Sequence, residues 1–211
     1  VVIAHQGGFD NVVATLGTGP GFNGDLGLTG IRQGTGTPAG FRSNAFPHAA
    51  VNPSSGHIYV TYSDNPAGTD KADVFMVMPT DGGASWSAPV RVNDDATTTD
   101  QWQPTITVSP GGDRLGIFYY SRQDDVAGNN LFKYYSRVGA IAGSTVTLIP
   151  SVAVSDTASL PEFGRDDVIN PTYMGDYDYA VATPGKFHVT WADNRDDLPG
   201  GAPRKDPNVY Y

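Results

Sequence analysis

The sequence predicts an all-β fold of four-stranded antiparallel meanders set side by side. Three observations predict it. The composition is hostile to helices, a strand–turn–strand pattern recurs three times, and further strand-like segments follow each recurrence.

The charged residues argue first. Of the 22 acids among 211 residues, 21 are aspartate and Glu162 is the sole glutamate; four lysines and nine arginines oppose them. Aspartate favours turns and caps, whereas glutamate and lysine are the ordinary surface residues of helices. With 26 glycines and 16 prolines as well, the chain is poor helix material, which excludes helical bundles and most α/β folds. The 9 Phe, 11 Tyr and 3 Trp argue against disorder. A chain of this length is one domain or part of a larger one.

The N-terminal segment 1–46 reads as a glycine-rich stretch with part of a repeat unit. Its opening "VVIAHQ" looks like a strand under way, the mark of a processed chain or a fragment. Nine glycines lie between Gly17 and Gly40, which fits a long loop or a glycine-rich strand pair.

The repeats then begin. Pro47–Asn65, Pro104–Arg122 and Asp178–Asn194 each read as a short apolar strand, a turn with proline or glycine, and a second strand ending in an aromatic. Pro53, Pro110 and Pro184 correspond, as do Tyr62, Tyr119 and Trp191. In the second strands Ile58, Val60 and Tyr62 share a face, as do Leu115, Ile117 and Tyr119, and Phe187, Val189 and Trp191. A third strand follows each pair, from Ala72, Asn130 and Pro207. A fourth follows two of them, from Ala88 and Val146. The units span 47–100, 101–160 and 161–211, the last cut inside its third strand. Alternation along the third strands predicts one exposed residue in each of the pairs Tyr134/Tyr135 and Tyr210/Tyr211.

Four-stranded meanders repeating at this period suggest β-propeller blades. Separations of 57 residues from Tyr62 to Tyr119 and 72 from Tyr119 to Trp191 allow roughly three and a half blades, against about four to eight in closed rings. The ring is therefore expected to be incomplete, either as part of a longer chain or completed by neighbouring copies. A β-sandwich with accidental internal similarity is the alternative.

Charge and composition exclude several function classes. A net charge of −9 and a pI near 4.6 leave no basic patch for nucleic acid. Without cysteine there is no disulfide, zinc–thiolate site, iron–sulfur cluster or thiol catalysis. No apolar run approaches the roughly 20 residues of a membrane span. The four histidines show no i, i+4 pairing, which disfavours a zinc site.

One motif points to a family. "PTDGGASW", Pro79 to Trp86, lies between strands three and four of the first unit. It resembles the Asp-box of bacterial sialidases and related propellers, S-x-D-x-G-x-[ST]-W. Asp81, Gly83, Ser85 and Trp86 match, and Pro79 replaces the leading serine. Aspartate caps the N–H groups of a tight turn, glycine permits positive φ, and tryptophan packs under the neighbouring strands. From about Phe46 onward the chain resembles a sialidase-like, Asp-box (BNR) propeller. That resemblance implies a structural, not catalytic, role for the four matching residues.

It also implies where a glycosidase site would lie. Sialidases of this fold use three arginines on the substrate carboxylate, a Tyr/Glu nucleophile pair and an aspartate acid/base; glycoside hydrolysis admits the tyrosine nucleophile as an exception. The candidates are Arg42, Arg122 and Arg195 for the carboxylate, and Glu162 with Tyr173 or Tyr177 for the nucleophile pair. "FRSNAFP" keeps Phe41 and Arg42 of the family's early F-R-I-P motif but displaces its proline to Pro47. A structural reading stands beside this one: Arg122 and Arg195 pair with nearby Asp124, Asp193 or Asp196, and Glu162 is an exposed loop acid. Aspartate clusters also raise a structural Ca2+ at Asp176, Asp178, Asp193 and Asp196, since calcium takes oxygen ligands from short loops; Asx-turn chemistry is the other account.

The resulting expectation is a secreted or cell-surface, sialidase-like propeller module that binds glycan or protein partners. An exo-sialidase fragment and a self-assembling subunit with open blade edges are the alternatives.

Overall fold

The computed structural model describes residues 2–4, 12–15, 45–64, 72–79, 85–160, 177–197 and 205–211. Among them are strands, turns and no helix. β1 (Val2–Ala4) and β2 (Val12–Thr15) form an antiparallel pair. The first sheet is a meander of β3 (His48–Val51), β4 (Ile58–Asp64), β5 (Asp73–Val77) and β6 (Val90–Arg91). The second is β7 (Gln101–Val108), β8 (Arg114–Ser121), β9 (Lys133–Ala142) and β10 (Thr145–Leu148), with β11 (Val152–Ala153) returning to β9. The third is β12 (Tyr179–Thr183), β13 (Lys186–Asp197) and β14 (Lys205–Tyr210). All pairings are antiparallel.

The fourth strand of the second sheet is split because Pro150, between β10 and β11, has no N–H for the ladder. The three sequence repeats are the hairpins β3–β4, β7–β8 and β12–β13. Each of the three turns holds a glycine in the left-handed region, Gly56, Gly112 and Gly185 with φ of 74°, 73° and 76°, which glycine enters at little steric cost. The correspondence reaches the start of the first strand. Phe46 and Gln103, each just before a proline, both take positive φ, 41° and 51°.

Register shows the repeat most sharply. Tyr62 lies opposite Phe75, Tyr119 opposite Tyr135, and Trp191 opposite Tyr210. Each pair is stacked, with ring centroids 5.9, 6.4 and 5.9 Å apart, the cross-strand contact by which sheets gain stability. Tyr62, Tyr119 and Trp191 are all buried and belong to the core.

The sheets pack face to face. Tyr59, Val74 and Met76 of the first meet Leu115, Ile117 and Tyr119 of the second. The other face of the second carries Phe118, Tyr120 and Tyr134 onto Phe187, Val189 and Trp191 of the third. First strands run together, β7 lying against both β3 and β12. This succession of meanders is the arrangement of propeller blades; no sheet closes on itself among the described residues.

The middle sheet corrects one expectation. A sheet covered on both sides must be apolar on both, so Tyr134 and Tyr135 are both buried. In the third sheet alternation does hold: Tyr211 is exposed and Tyr210 half-buried.

Candidate functional site at the polar end of the blades

Antiparallel order gathers the ends of β4, β8 and β13 with the starts of β3, β7 and β12. The Gly56, Gly112 and Gly185 turns lie at the opposite end. Most buried polar side chains sit at the first end.

Asp178, immediately before β12, ties the sheets together there. Its Oδ1 accepts the Tyr120 hydroxyl at 2.8 Å and its Oδ2 accepts Gln103 Nε2 at 2.6 Å. Tyr120 in turn accepts the Ala192 N–H at 2.8 Å, and the Gln103 N–H donates to Ser63 Oγ at 3.0 Å. The network therefore spans all three sheets. Burial, then the Asp178 charge, pushes the Tyr120 phenol well above its ordinary pKa, so it stays a donor. Gln103 occupies a register break between Trp102 and Thr105. A left-handed non-glycine residue there costs roughly 1–3 kcal/mol, offset by bonds on both sides.

Arg122 follows β8 and its side chain is wholly buried. Its Nη1 donates to Asp100 Oδ2 at 3.0 Å, and its guanidinium lies 5.3 Å from the Trp102 ring centroid. Asn129 Nδ2 donates to the same Asp100 oxygen at 2.9 Å, and Asn129 Oδ1 accepts the Asp100 N–H. Arg122 Nε and Nη2 have no hydrogen-bond partner among the described residues; the tryptophan face supplies part of what they lack. Burial pushes the guanidinium down to about 10, with Asp100 opposing the fall. It remains charged at neutral pH. The Asp125 carboxylate orders the loop after Arg122 by accepting the N–H groups of Gly128, Asn130 and Leu131.

Arg195 is more fully engaged. Its Nη2 and Nε reach Asp193 Oδ2 at 2.7 and 3.0 Å, its Nη1 reaches Asp156 Oδ1 at 2.7 Å, and it stacks 4.2 Å from the Tyr210 ring centroid. The Asp193 hydrogen bonds raise its pKa above the ordinary value. Pairing with Asp193 is as the structural reading had it. Arg122, by contrast, pairs with Asp100, 22 residues away.

The remaining candidates separate. Tyr177 is 74 % exposed. Arg42, Glu162, Tyr173, Asp176, Asp81 and Gly83 lie outside the described residues. Of the residues that match the Asp-box pattern, Ser85 is exposed, and Trp86 bridges to Pro79 and packs on the cluster of Val60, Tyr62 and Val77. Asp193 also accepts Ser159 Oγ at 2.5 Å, and Asp196 accepts Asn208 Nδ2 at 3.0 Å and the Tyr210 hydroxyl. Among the described residues no group of three or more His, Cys, Asp or Glu side chains could hold a metal ion.

Sequence reasoning missed Gln103, Tyr120, Asn129 and Asp156, and did not pair Asp100 with Arg122. For Gln103 a signal existed: Gln103-Pro104 mirrors Phe46-Pro47 at the same repeat position.

Around this buried frame stand Asp124, Lys133, Asp156, Asp196 and Asn208, all at least partly accessible. Lys133 bridges to Asp124 at 2.8 Å, and Tyr135 donates to the same carboxylate at 2.7 Å. Such a rim offers hydroxyl-matching donors and acceptors, with its arginines already neutralised internally.

No protein-family profile matches the chain, and no curated protein matches it. Among solved structures, a GH93 alpha-L-arabinofuranosidase of Fusarium graminearum in complex with arabinobiose is 12% identical with a TM-score of 0.47. The match covers 84% of this chain and 47% of that one, so the chain spans about half the enzyme's length.

Proposed function

We propose that this is a non-hydrolytic propeller module, secreted or on the cell surface, that holds a glycan or protein partner at the polar end of its blades. One observation carries the reading. Arg122 and Arg195, the two described candidates for a carboxylate clamp, are each held by aspartates of the chain itself. A clamp must present bidentate donors to the ligand, but Arg122 is wholly buried beside Asp100 and Trp102, and Arg195 already serves Asp193 and Asp156. The accessible Asp124–Lys133 and Asp196–Asn208 pairs favour hydrogen bonding to neutral hydroxyls or peptide groups.

The test has two arms. The protein is incubated with a fluorogenic sialoside and, separately, applied to an array of glycans with and without sialic acid. Expected are no release of fluorophore and retention of neutral glycans, abolished by Lys133→Ala or Asn208→Ala. Sialoside turnover that Arg195→Ala removes would overturn the proposal in favour of an exo-sialidase.

A further inference from the structure

The seams between successive sheets differ at the turn end. Between the first and second, Asn52 Nδ2 donates to the Gly112 carbonyl at 2.8 Å and Ser54 Oγ to that of Gly111 at 2.9 Å. Between the second and third the corresponding bonds are missing. Ser109, at the register position of Asn52, donates its hydroxyl to Asp113 Oδ1 in its own turn at 2.8 Å. Gly111, at the position of Ser54, has no side chain to offer. The facing turn is also shorter. Val51 pairs with Ile58 across 52–57 and Val108 with Leu115 across 109–114, whereas Thr183 pairs with Lys186 across 184–185 alone.

A cavity of about 160 Å3 results, bounded by Ser109, Asp113 and Arg114 on one side and by Thr183, Lys186 and Phe187 on the other. It lies between two sheets of the chain itself. The start of β12 at Tyr179 and the end of β13 at Asp197 are at the opposite, polar end. A cavity of about 150 Å3 takes one benzene, so this one suits a single ring-sized group.

Charge narrows the chemistry of that group. Every other described lysine or arginine side chain has an aspartate oxygen within 3.7 Å. Lys186 has none among the described residues, and Arg114 reaches only Asp113, at 4.0 Å. Both line this cavity, with Asp113 as the one described carboxylate in its wall. Two cations and one carboxylate leave a single positive charge, which matches a monoanion and disfavours a dianion. Phe187, set edge-on against Phe118 at 6.2 Å, supplies the apolar wall. The Thr183 hydroxyl, 3.1 Å from His188 Nε2, adds a further polar group.

We infer that this cavity is a second binding site, for one sugar unit that carries a carboxylate. Arg114 and Lys186 take the carboxylate, Phe187 packs against the ring, and Asp113 and Thr183 serve its hydroxyls. A small anion alone leaves the Phe187 wall and most of the volume unfilled. A neutral sugar leaves both cations without a partner. The site is independent of the partner proposed for the polar end, which lies a strand's length away.

Titration of the isotope-labelled whole chain with glucuronate, followed through its amide NMR signals, tests the inference. Expected are saturable shifts at the Arg114, Gly185 and Lys186 N–H groups, weakening with salt because both cations are exposed. Lys186→Gln and Arg114→Gln should each weaken binding about threefold or more, with the rest of the amide spectrum unchanged. Glucose should bind at least about tenfold more weakly than glucuronate. Absence of saturable shifts at these amides would overturn the proposal, as would indifference to both substitutions. Acetate or sulfate bound as tightly as glucuronate would mean ion pairing with exposed cations and no sugar site. Glucose bound as tightly would remove the carboxylate from the reading. Shifts confined to the polar end would move acidic-sugar binding to that site and reject this one.

Discussion

Trp191 of the third sheet lies flat on Tyr134 of the second, with centroids 5.5 Å apart and ring planes 9° from parallel. Trp191 also stacks on Tyr210 in its own sheet, and Tyr134 meets Tyr120 edge-on at 4.8 Å. Cross-strand and cross-sheet contacts thus run through one indole. Truncating it empties a site bounded by rings that cannot collapse inward together.

Trp191→Ala is accordingly expected to cost about 3–5 kcal/mol. Tyr62→Ala removes an aromatic at the equivalent repeat position, within the first sheet. The check is urea unfolding followed by tyrosine fluorescence. If Trp191→Ala costs less than about 1 kcal/mol, the second and third sheets are not coupled through this stack.

The three turn glycines make a second prediction, because nearly equal φ values have unequal surroundings. A Cβ on Gly56 or Gly185 meets nothing within 4 Å, whereas on Gly112 it meets Asn52 Oδ1 at 2.3 Å and Ser54 Oγ at 2.8 Å. Asn52 Nδ2 donates to the Gly112 carbonyl and Ser54 Oγ to that of Gly111, so this turn is locked to the neighbouring blade. Gly56→Ala and Gly185→Ala should each cost only the left-handed strain, about 1–2 kcal/mol. Gly112→Ala should cost clearly more, read as a larger fall in urea midpoint.

How far the sequence was legible follows from the same residues. Proline, glycine and the terminal aromatic of each repeat placed the hairpins, because turn chemistry and period-two alternation are local. Tyr134 and Tyr135 show the limit: their burial depends on a second sheet covering the middle one, which alternation along one strand does not encode. The polar end was harder still. Arg122 stood out in the sequence, but Asp100 lies across a strand pair, and Asp178 binds Gln103 over 75 residues and Tyr120 over 58. Such partners are chosen by register and blade packing, not by neighbourhood in the chain. Gln103 could have been found, since its proline-preceding position repeats that of Phe46.

The Arg122–Asp100 pair supplies a third prediction. Both side chains are wholly inaccessible. Removing one partner of a buried pair strands the other charge, at about 3–5 kcal/mol. Arg122→Met and Asp100→Leu should each be destabilising to that degree. The double variant should recover most of the loss, since an apolar pair removes both desolvation costs. Asp100 also holds Asn129, so recovery stays incomplete. Thermal unfolding of the three variants checks this, and a double variant no better than either single one would show that the pair is not the unit that matters.

His48 gives the last prediction, in pH. It is half-buried at the start of β3, with Nδ1 3.1 Å from Thr105 Oγ1 on β7. Burial lowers its pKa below the ordinary 6.5. A base with a depressed folded pKa binds fewer protons folded than unfolded, so stability rises with pH over that interval. Above 6.5 neither state is charged and His48 contributes nothing to the slope. Below it the unfolded chain protonates first, and stability falls until the folded pKa is passed. Melting temperature measured from about pH 8 down to about pH 5 should therefore decline through this window. His48→Asn, which keeps a side chain able to reach Thr105, should flatten the decline. An unchanged slope in that variant would assign the loss to the aspartates, whose own contribution belongs lower: Asp125, held below the usual 3.8 by the Leu131, Asn130 and Gly128 amides against the pull of burial, keeps its stabilising effect until pH falls past that value.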